Sequence, residues 1–240
     1  MFKRVIIKLS GEALAGGKEN AGYFDDGVIG RLVREIIRLR DAGTQTALVV
    51  GGGNIWRGRD GNPDMDRSKT DQMGMLATVM NAVYLAESFR AAGCEAVIMT
   101  PVIIGTVTEL FEKRRAIGYL ESGKVLIFAA GTGLPFFSTD TITAVRGAEL
   151  EADAVLFAKN VDGVYDSDPR RNENAKKIDS ITYDEIIRRK LDVIDTAASS
   201  ICEQQGLPGV IFKLDEPDGI ITAASGDDGA IFRIGTMVNV

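Results

Sequence analysis

Six short apolar runs rich in β-branched residues recur at 4–9, 45–50, 95–99, 124–129, 153–157 and 209–212, separated by longer amphipathic stretches. Strands that alternate with helix-length segments are joined by crossovers, so the pattern predicts an α/β fold. The expected architecture is a three-layer α/β/α sandwich around a central, mostly parallel sheet. Helical spacing of Val28, Ile29, Leu32, Val33, Ile36 and Ile37, with Gly43 as the stop, predicts a helix after the first strand. Another is predicted from about Thr70 to Ala92, capped by Thr70 or Asp71 and ended by Gly93. Its expected buried side carries Met73, Leu76, Met80, Val83 and Leu85. Ser138, Thr139 and Asp140 sit where a further helix should begin.

The chain has 240 residues, 45% of them hydrophobic, which suffices for a substantial core and reads as one domain over 1–240. No linker, internal repeat or low-complexity tract interrupts it. A net charge of −6 with scattered basic residues argues against a nucleic acid or an anionic membrane as partner. The N-terminus enters a strand at once and no apolar run nears bilayer-spanning length, so neither export signal nor anchor is expected. Cys94 and Cys202 are far apart, with no Cys-x-x-Cys pair, which indicates neither a disulfide framework nor a zinc site and fits a reducing cytosol.

The chain contains no histidine. Ser-His-Asp and Cys-His catalysis, His-ligated zinc and imidazole acid–base chemistry are therefore excluded together. Lysine, arginine, aspartate and backbone N–H groups remain, an inventory suited to phosphoryl transfer assisted by Mg²⁺. The motifs fall where such chemistry belongs in an open α/β sheet, at the carboxyl ends of strands. They are Lys8-Leu9-Ser10-Gly11, Gly51-Gly52-Gly53-Asn54, Gly131-Thr132-Gly133 and Lys159-Asn160-Val161-Asp162-Gly163. Glycine lets the backbone approach an anion and aim several N–H groups at it, while Lys8 and Arg57 add charge. No Gly-x-x-x-x-Gly-Lys-Ser/Thr string occurs, so the phosphates are not held by the usual P-loop. Each residue also has a plainer reading. Lys8 could be a solvated lysine, the glycines a bare turn, Asp71 an N-cap, and Phe136 and Phe137 core.

The strings Lys8–Leu14, Gly51–Gly58, Asp71–Asn81, Ala130–Asp140 and Val161–Tyr165 resemble the amino acid kinase superfamily and, within it, the bacterial UMP kinase family. The resemblance implies a cytosolic, Mg²⁺-dependent enzyme that transfers the γ-phosphoryl of ATP to UMP, giving UDP and ADP. It further implies a homohexamer, feedback inhibition by UTP and activation by GTP. Residues roughly 1–150 would bind the acceptor and 151–240 the ATP.

Site by site, the resemblance implies that Lys8 bridges the nucleotide phosphates, with Leu9, Ser10 and Gly11 beside it. Gly52 and Gly53 would stand where acceptor and donor phosphates meet, and Arg57 would add a donor fork. Asp71 would accept from the acceptor ribose. Thr132, Gly133, Leu134, Pro135, Phe136, Phe137, Ser138 and Thr139 would wrap the UMP. Asp140 and Asp195 would orient the lysine and the metal, while Lys159, Asn160, Tyr165 and Asp168 would face the adenine and ribose of ATP. The metal's ligands are not specified. Leu134 departs from the usual polar residue, Gly16–Gly22 is longer than usual where relatives bind GTP, and Lys213–Asp218 is unusually acidic. Two rivals keep part of the pattern: an acetylglutamate or carbamate kinase, and a non-catalytic ATP-binding storage relative. Lys8, Arg57, Asp140 and Asp195 together count against the second.

Overall fold

The computed structural model describes residues 1–16, 22–57, 62, 64–167 and 172–240. The elements in chain order are β1 (Arg4–Leu9), α1 (Gly11–Leu14), α2 (Asp26–Asp41), β2 (Gln45–Val50), α3 (Arg67–Ala91), β3 (Ala96–Thr100), β4 (Glu109–Leu110), α4 (Lys113–Glu121), β5 (Val125–Phe128) and α5 (Thr139–Glu149). They continue with β6 (Ala154–Lys159), β7 (Val164–Tyr165), β8 (Lys177–Ile178), β9 (Ser180–Thr182), α6 (Tyr183–Arg188), α7 (Thr196–Gln204), β10 (Gly209–Lys213), α8 (Gly219–Ala223), α9 (Asp228–Ile234) and β11 (Gly235–Asn239).

Nine strands form one sheet in the order β4-β3-β5-β2-β1-β6-β10-β11-β9, and β7 pairs with β8 in a separate hairpin. Every pairing from β4 to β10 is parallel, and β11 runs antiparallel to β10. The expected α/β architecture with a mostly parallel sheet is thus observed. Alternation along β1 divides the core: Val5, Ile7 and Leu9 pack with α2, α3, α8 and α9, whereas Ile6 packs with α4 and α5. In β6, Val155 and Phe157 face α6 and α7. Lys8 and Lys159 continue the Ile6 and Val155–Phe157 rows, so strand period 2 delivers both ammonium groups to one side of the sheet at its carboxyl edge.

The third helix departs from expectation in two ways. It begins at Arg67 and is capped by Asp66, whose carboxylate accepts from the Ser68 amide at 2.7 Å, so neither Thr70 nor Asp71 is the cap. Its buried residues include Ala77, Thr78, Asn81, Ala82, Leu85 and Phe89. Met73, Leu76, Met80 and Val83 are exposed, and of the expected stripe only Leu85 is buried. The buried side runs instead through Ala77, Thr78, Asn81 and Ala82, small or polar residues near the glycine turn, to Leu85 and Phe89. Gly43 and Gly93 end their helices at φ +96° and +75°, as expected. Strands β4, β7, β8 and β9 are only two or three residues long, and β11, though largely buried, reads Gly-Thr-Met-Val-Asn, so none stands out as an apolar run. Asp218, in the acidic segment, adopts φ +53° and pairs with Arg38 at 2.6 Å, which accounts for one of its carboxylates.

Candidate functional site

Asp140 lies in the first turn of α5, directly after the Ser138 cap, and is buried between two lysines. Its Oδ1 is 3.2 Å from Lys8 Nζ and its Oδ2 is 2.6 Å from Lys159 Nζ. Burial alone would raise the carboxyl pKa, but the two ammonium groups outweigh it and hold Asp140 below the ordinary carboxylate value. Lys159 is drawn below the usual lysine value by burial and by the like charge of Lys8, against the pull of Asp140. Two cations and one anion leave a surplus positive charge at the sheet's carboxyl edge. The structure therefore sets Lys159 beside Lys8 at the cationic centre, where it also lines a cavity of about 260 Å³ with Asn160.

The glycine turn after β2 packs where no side chain would fit. A Cβ on Gly52 would stand 2.8 Å from the Gly74 carbonyl and 2.9 Å from Ala77 Cβ, and one on Gly11 would meet the Gly53 amide at 2.7 Å. The turns after β1 and β2 thus touch each other and rest on α3. Ser10 caps α1 through the Ala13 amide, and Leu9 is core, so these two can reach a ligand only by backbone. Arg57 lies over Gly53 and ion-pairs with Glu12, whose carboxylate also accepts from Asn160 Nδ2 at 3.4 Å.

A cavity of about 480 Å³ opens beside this turn. Gly52, Gly53, Arg57, Asp71, Thr132, Leu134, Phe137, Ser138 and Thr139, all anticipated, line it together with Trp56 and Met75. Gly133, Pro135 and Phe136 belong to the same loop but do not line the cavity. Asp71 reaches in from α3, accepting from Arg67 Nε at 2.8 Å and from the Phe136 amide at 2.9 Å. With the cap assigned to Asp66, the plainer reading of Asp71 is removed. Phe136 and Phe137 are 70% and 53% exposed, which excludes the core reading for both. The loop carries unusual backbone: Ala130 and Phe136 sit at φ +59° and +71°, each costing roughly 1–3 kcal/mol that surrounding contacts must offset. The Thr78 hydroxyl, accepting from the Ala130 amide at 2.6 Å, is one such contact.

A second cavity, of about 500 Å³, is lined by Asn160, Val161, Gly163, Tyr165, Lys190 and Asp192 among others. The Tyr165 hydroxyl is held by Asp162 at 3.0 Å. Asp168 lies outside the described residues, as do 17–21 of the segment linked to GTP. Between the two sides, Asp140, Asp195 and Ser199 border a cavity of about 700 Å³. Asp195 caps α7 through the Ala198 amide at 2.7 Å and accepts from Ser138 and Thr141 hydroxyls. No lysine or arginine is paired with Asp195 among the described residues, and the buried Ser199 hydroxyl has no hydrogen-bond partner. No group of three or more His, Cys, Asp or Glu side chains is assembled among the described residues. One or two carboxylates beside a phosphate-sized space suit Mg²⁺, which takes oxygen ligands and keeps waters and phosphates in its shell. Both cysteines are free and buried, and no described helix is long and apolar enough to cross a membrane.

Sequence reasoning missed Glu12, Asn54, Trp56, Thr78 and Asn81. Thr78 and Asn81 could have been found as polar residues recurring on the sheet-facing side of α3.

The amino acid kinase family model matches residues 3–213. Among solved structures, UMP kinase from Bacillus anthracis superposes with a TM-score of 0.92 at 34% identity, covering 99% of this chain and 96% of that one. UMP kinase from Ureaplasma parvum gives 0.89 at 31% identity, covering 99% of both chains. Uridylate kinase from Archaeoglobus fulgidus, at 24% identity and 0.74 over 98% of this chain and 99% of that one, shares the fold. The chain belongs to the amino acid kinase family, in which its relatives at 31% and 34% identity are UMP kinases.

Proposed function

We propose that this protein transfers the γ-phosphoryl group of ATP to UMP, forming UDP and ADP. The observation that carries the reading is the Lys8–Asp140–Lys159 cluster: Asp140 borders the cavity that shares Ser138 with the acceptor side and Lys190 and Asp192 with the nucleotide side, and Lys159 lines a further cavity with Asn160. In an in-line displacement, a UMP phosphate oxygen attacks the γ-phosphorus while the bond to the β–γ bridging oxygen breaks and ADP departs. The attacking oxygen is already ionised, so no general base is required, in keeping with a chain that lacks histidine. Lys8 and Lys159 offset the charge on the equatorial oxygens, and Asp140 keeps both ammonium groups aimed. Gly52 and Gly53 offer backbone N–H groups where the two phosphates meet, and Arg57 exchanges Glu12 for phosphate when the site fills.

Asp71 and the loop from Thr132 to Thr139 hold the UMP, while Asn160, Tyr165 and Asp168 serve the adenosine. The acceptor side corresponds to residues 1–150 and the ATP side to 151–240. Mg²⁺ enters with ATP; Asp195 would hold it, and it would supply charge neutralisation on the phosphates. The exposed Met73, Leu76 and Met80 stripe of α3 supports self-assembly, which we take to be the homohexamer, with GTP and UTP as its effectors. Two free, buried cysteines support a cytosolic setting, and the reaction itself, UMP to UDP, supports a place in pyrimidine nucleotide synthesis. With γ-labelled ATP, label should appear in UDP and depend on added UMP. Label released only as inorganic phosphate, or passed only to a carboxylate acceptor, would overturn the reading.

A further inference from the structure

Beneath the glycine turn lies a pair of side-chain amides that takes no part in the steps above. Asn81, on α3, is fully buried. Its Nδ2 donates to the Gly51 carbonyl at 2.6 Å and to Asn54 Oδ1 at 2.8 Å. Asn54 answers with Nδ2 to Asn81 Oδ1 at 3.0 Å and to the Tyr23 carbonyl at 2.7 Å. The outer partners fix both orientations. Carbonyl oxygens only accept, so each amide must turn an N–H towards its carbonyl, and the remaining N–H and Oδ1 then face those of the other residue in a reciprocal pair. Flipping Asn81 would set oxygen against oxygen at the buried Gly51 carbonyl, and flipping Asn54 would do so at the Tyr23 carbonyl.

We infer that Asn81, working through Asn54 and the Gly51 carbonyl, is the positioning residue for the phosphate-facing turn. Asn81 is the side chain that holds the Gly51 carbonyl, beside the packing on Gly74 and Ala77 and the turn's own backbone bonds. Gly51, Gly52 and Gly53 carry no side chains, and backbone freedom is greatest at glycine. Its hydrogen bonds within the structure run from the Gly51 amide to the Leu9 carbonyl at 2.8 Å and from the Ile55 and Trp56 amides to the Gly52 carbonyl at 3.0 and 2.9 Å. Neither the Gly52 nor the Gly53 amide is committed by these bonds, which is the condition for offering them to a phosphate. Asn81 fixes the turn from its carbonyl side, while Gly52 and Gly53 line the adjoining cavity with their amides uncommitted. A residue that merely filled space here would be apolar, because a buried amide is costly unless fully bonded.

The inference rests on the kinase reading above, and its test separates the two. Asn81→Asp keeps the volume but brings a carboxylate oxygen against the Gly51 carbonyl, and Asn54→Ala and the double variant complete the cycle. In ligand-free protein, the hydrogen-bonded amides of the turn, those of Gly51, Ile55 and Trp56, should exchange with solvent about 10-fold faster in Asn81→Asp, with β2 unaffected. In ATP-plus-UMP turnover, kcat should fall by about 10- to 100-fold with little change in KM for UMP, and the double variant should be no worse than either single one. A folded Asn81→Asp protein with wild-type exchange at the turn, with wild-type kcat, or with losses that add in the double variant would overturn the inference. Wild-type protein that does not phosphorylate UMP would instead refute the kinase reading, and the exchange measurement would still decide the role of Asn81.

Discussion

Asp140 holds two ammonium groups on one buried carboxylate, and that arrangement makes the site's chemistry testable one residue at a time. Lys8→Ala should collapse kcat while leaving UMP binding by calorimetry largely intact; unchanged turnover would remove Lys8 from the mechanism. Asp140→Asn leaves two buried cations without their anion and should cost about 3–5 kcal/mol of stability along with activity, as read by denaturant unfolding. Lys159 acts only when charged, hence below its pKa, and that pKa is depressed by burial and by Lys8. The kcat/KM for ATP should therefore fall on the alkaline side, beginning below the ordinary lysine value of about 10.4. Lys159→Arg should push that limb to higher pH, since arginine stays protonated; a limb that does not move would assign it to another group. Asp71→Asn should chiefly raise KM for UMP, and an unaffected KM would leave Asp71 only as the anchor of Arg67 and the Phe136 amide.

At the scale of elements, α3 is a platform with two working faces. Its sheet side carries the glycine turn on Gly74 and Ala77 and the acceptor loop on Thr78, while its outer side carries apolar residues with nothing yet against them. Asp66→Ala should cost about 1 kcal/mol through loss of the cap, a fall of roughly 2–4 °C in Tm for a chain of this size. Equal stability of the variant and wild type would put the start of α3 elsewhere. Strands β1, β2, β3, β5, β6 and β10 and the helix ends at Gly43, Gly93 and Ser138 were legible because β-branched runs and capping residues act locally. The buried side of α3 was not, since hydrophobic period locates a stripe but not what covers it. Nor was the place of Lys159 at the cationic centre, although period 2 from Val155 and Phe157 aims it there once the sheet order sets β6 beside β1. The Asn54–Asn81 pair needed tertiary structure, because its partners are 27 residues apart.

For the whole molecule, one sheet joins residues 1–150 to 151–240, the halves proposed for acceptor and nucleotide, with β1 and β6 paired at the seam and a lysine delivered from each. The exposed stripe on α3 predicts assembly at this scale. Leu76→Asp combined with Met80→Asp should lower the mass found by sedimentation while leaving the fold intact by circular dichroism, and an unchanged mass would place the subunit contact elsewhere. The claim that most needs a direct trial is the identity of the acceptor. ADP release from Mg·ATP should be followed in parallel with UMP, CMP, dUMP, N-acetylglutamate and carbamate. The account predicts the highest kcat/KM for UMP, with the two non-nucleotide acceptors inert; turnover of N-acetylglutamate or carbamate in preference to UMP, or ATP binding with no turnover of any acceptor, would contradict it.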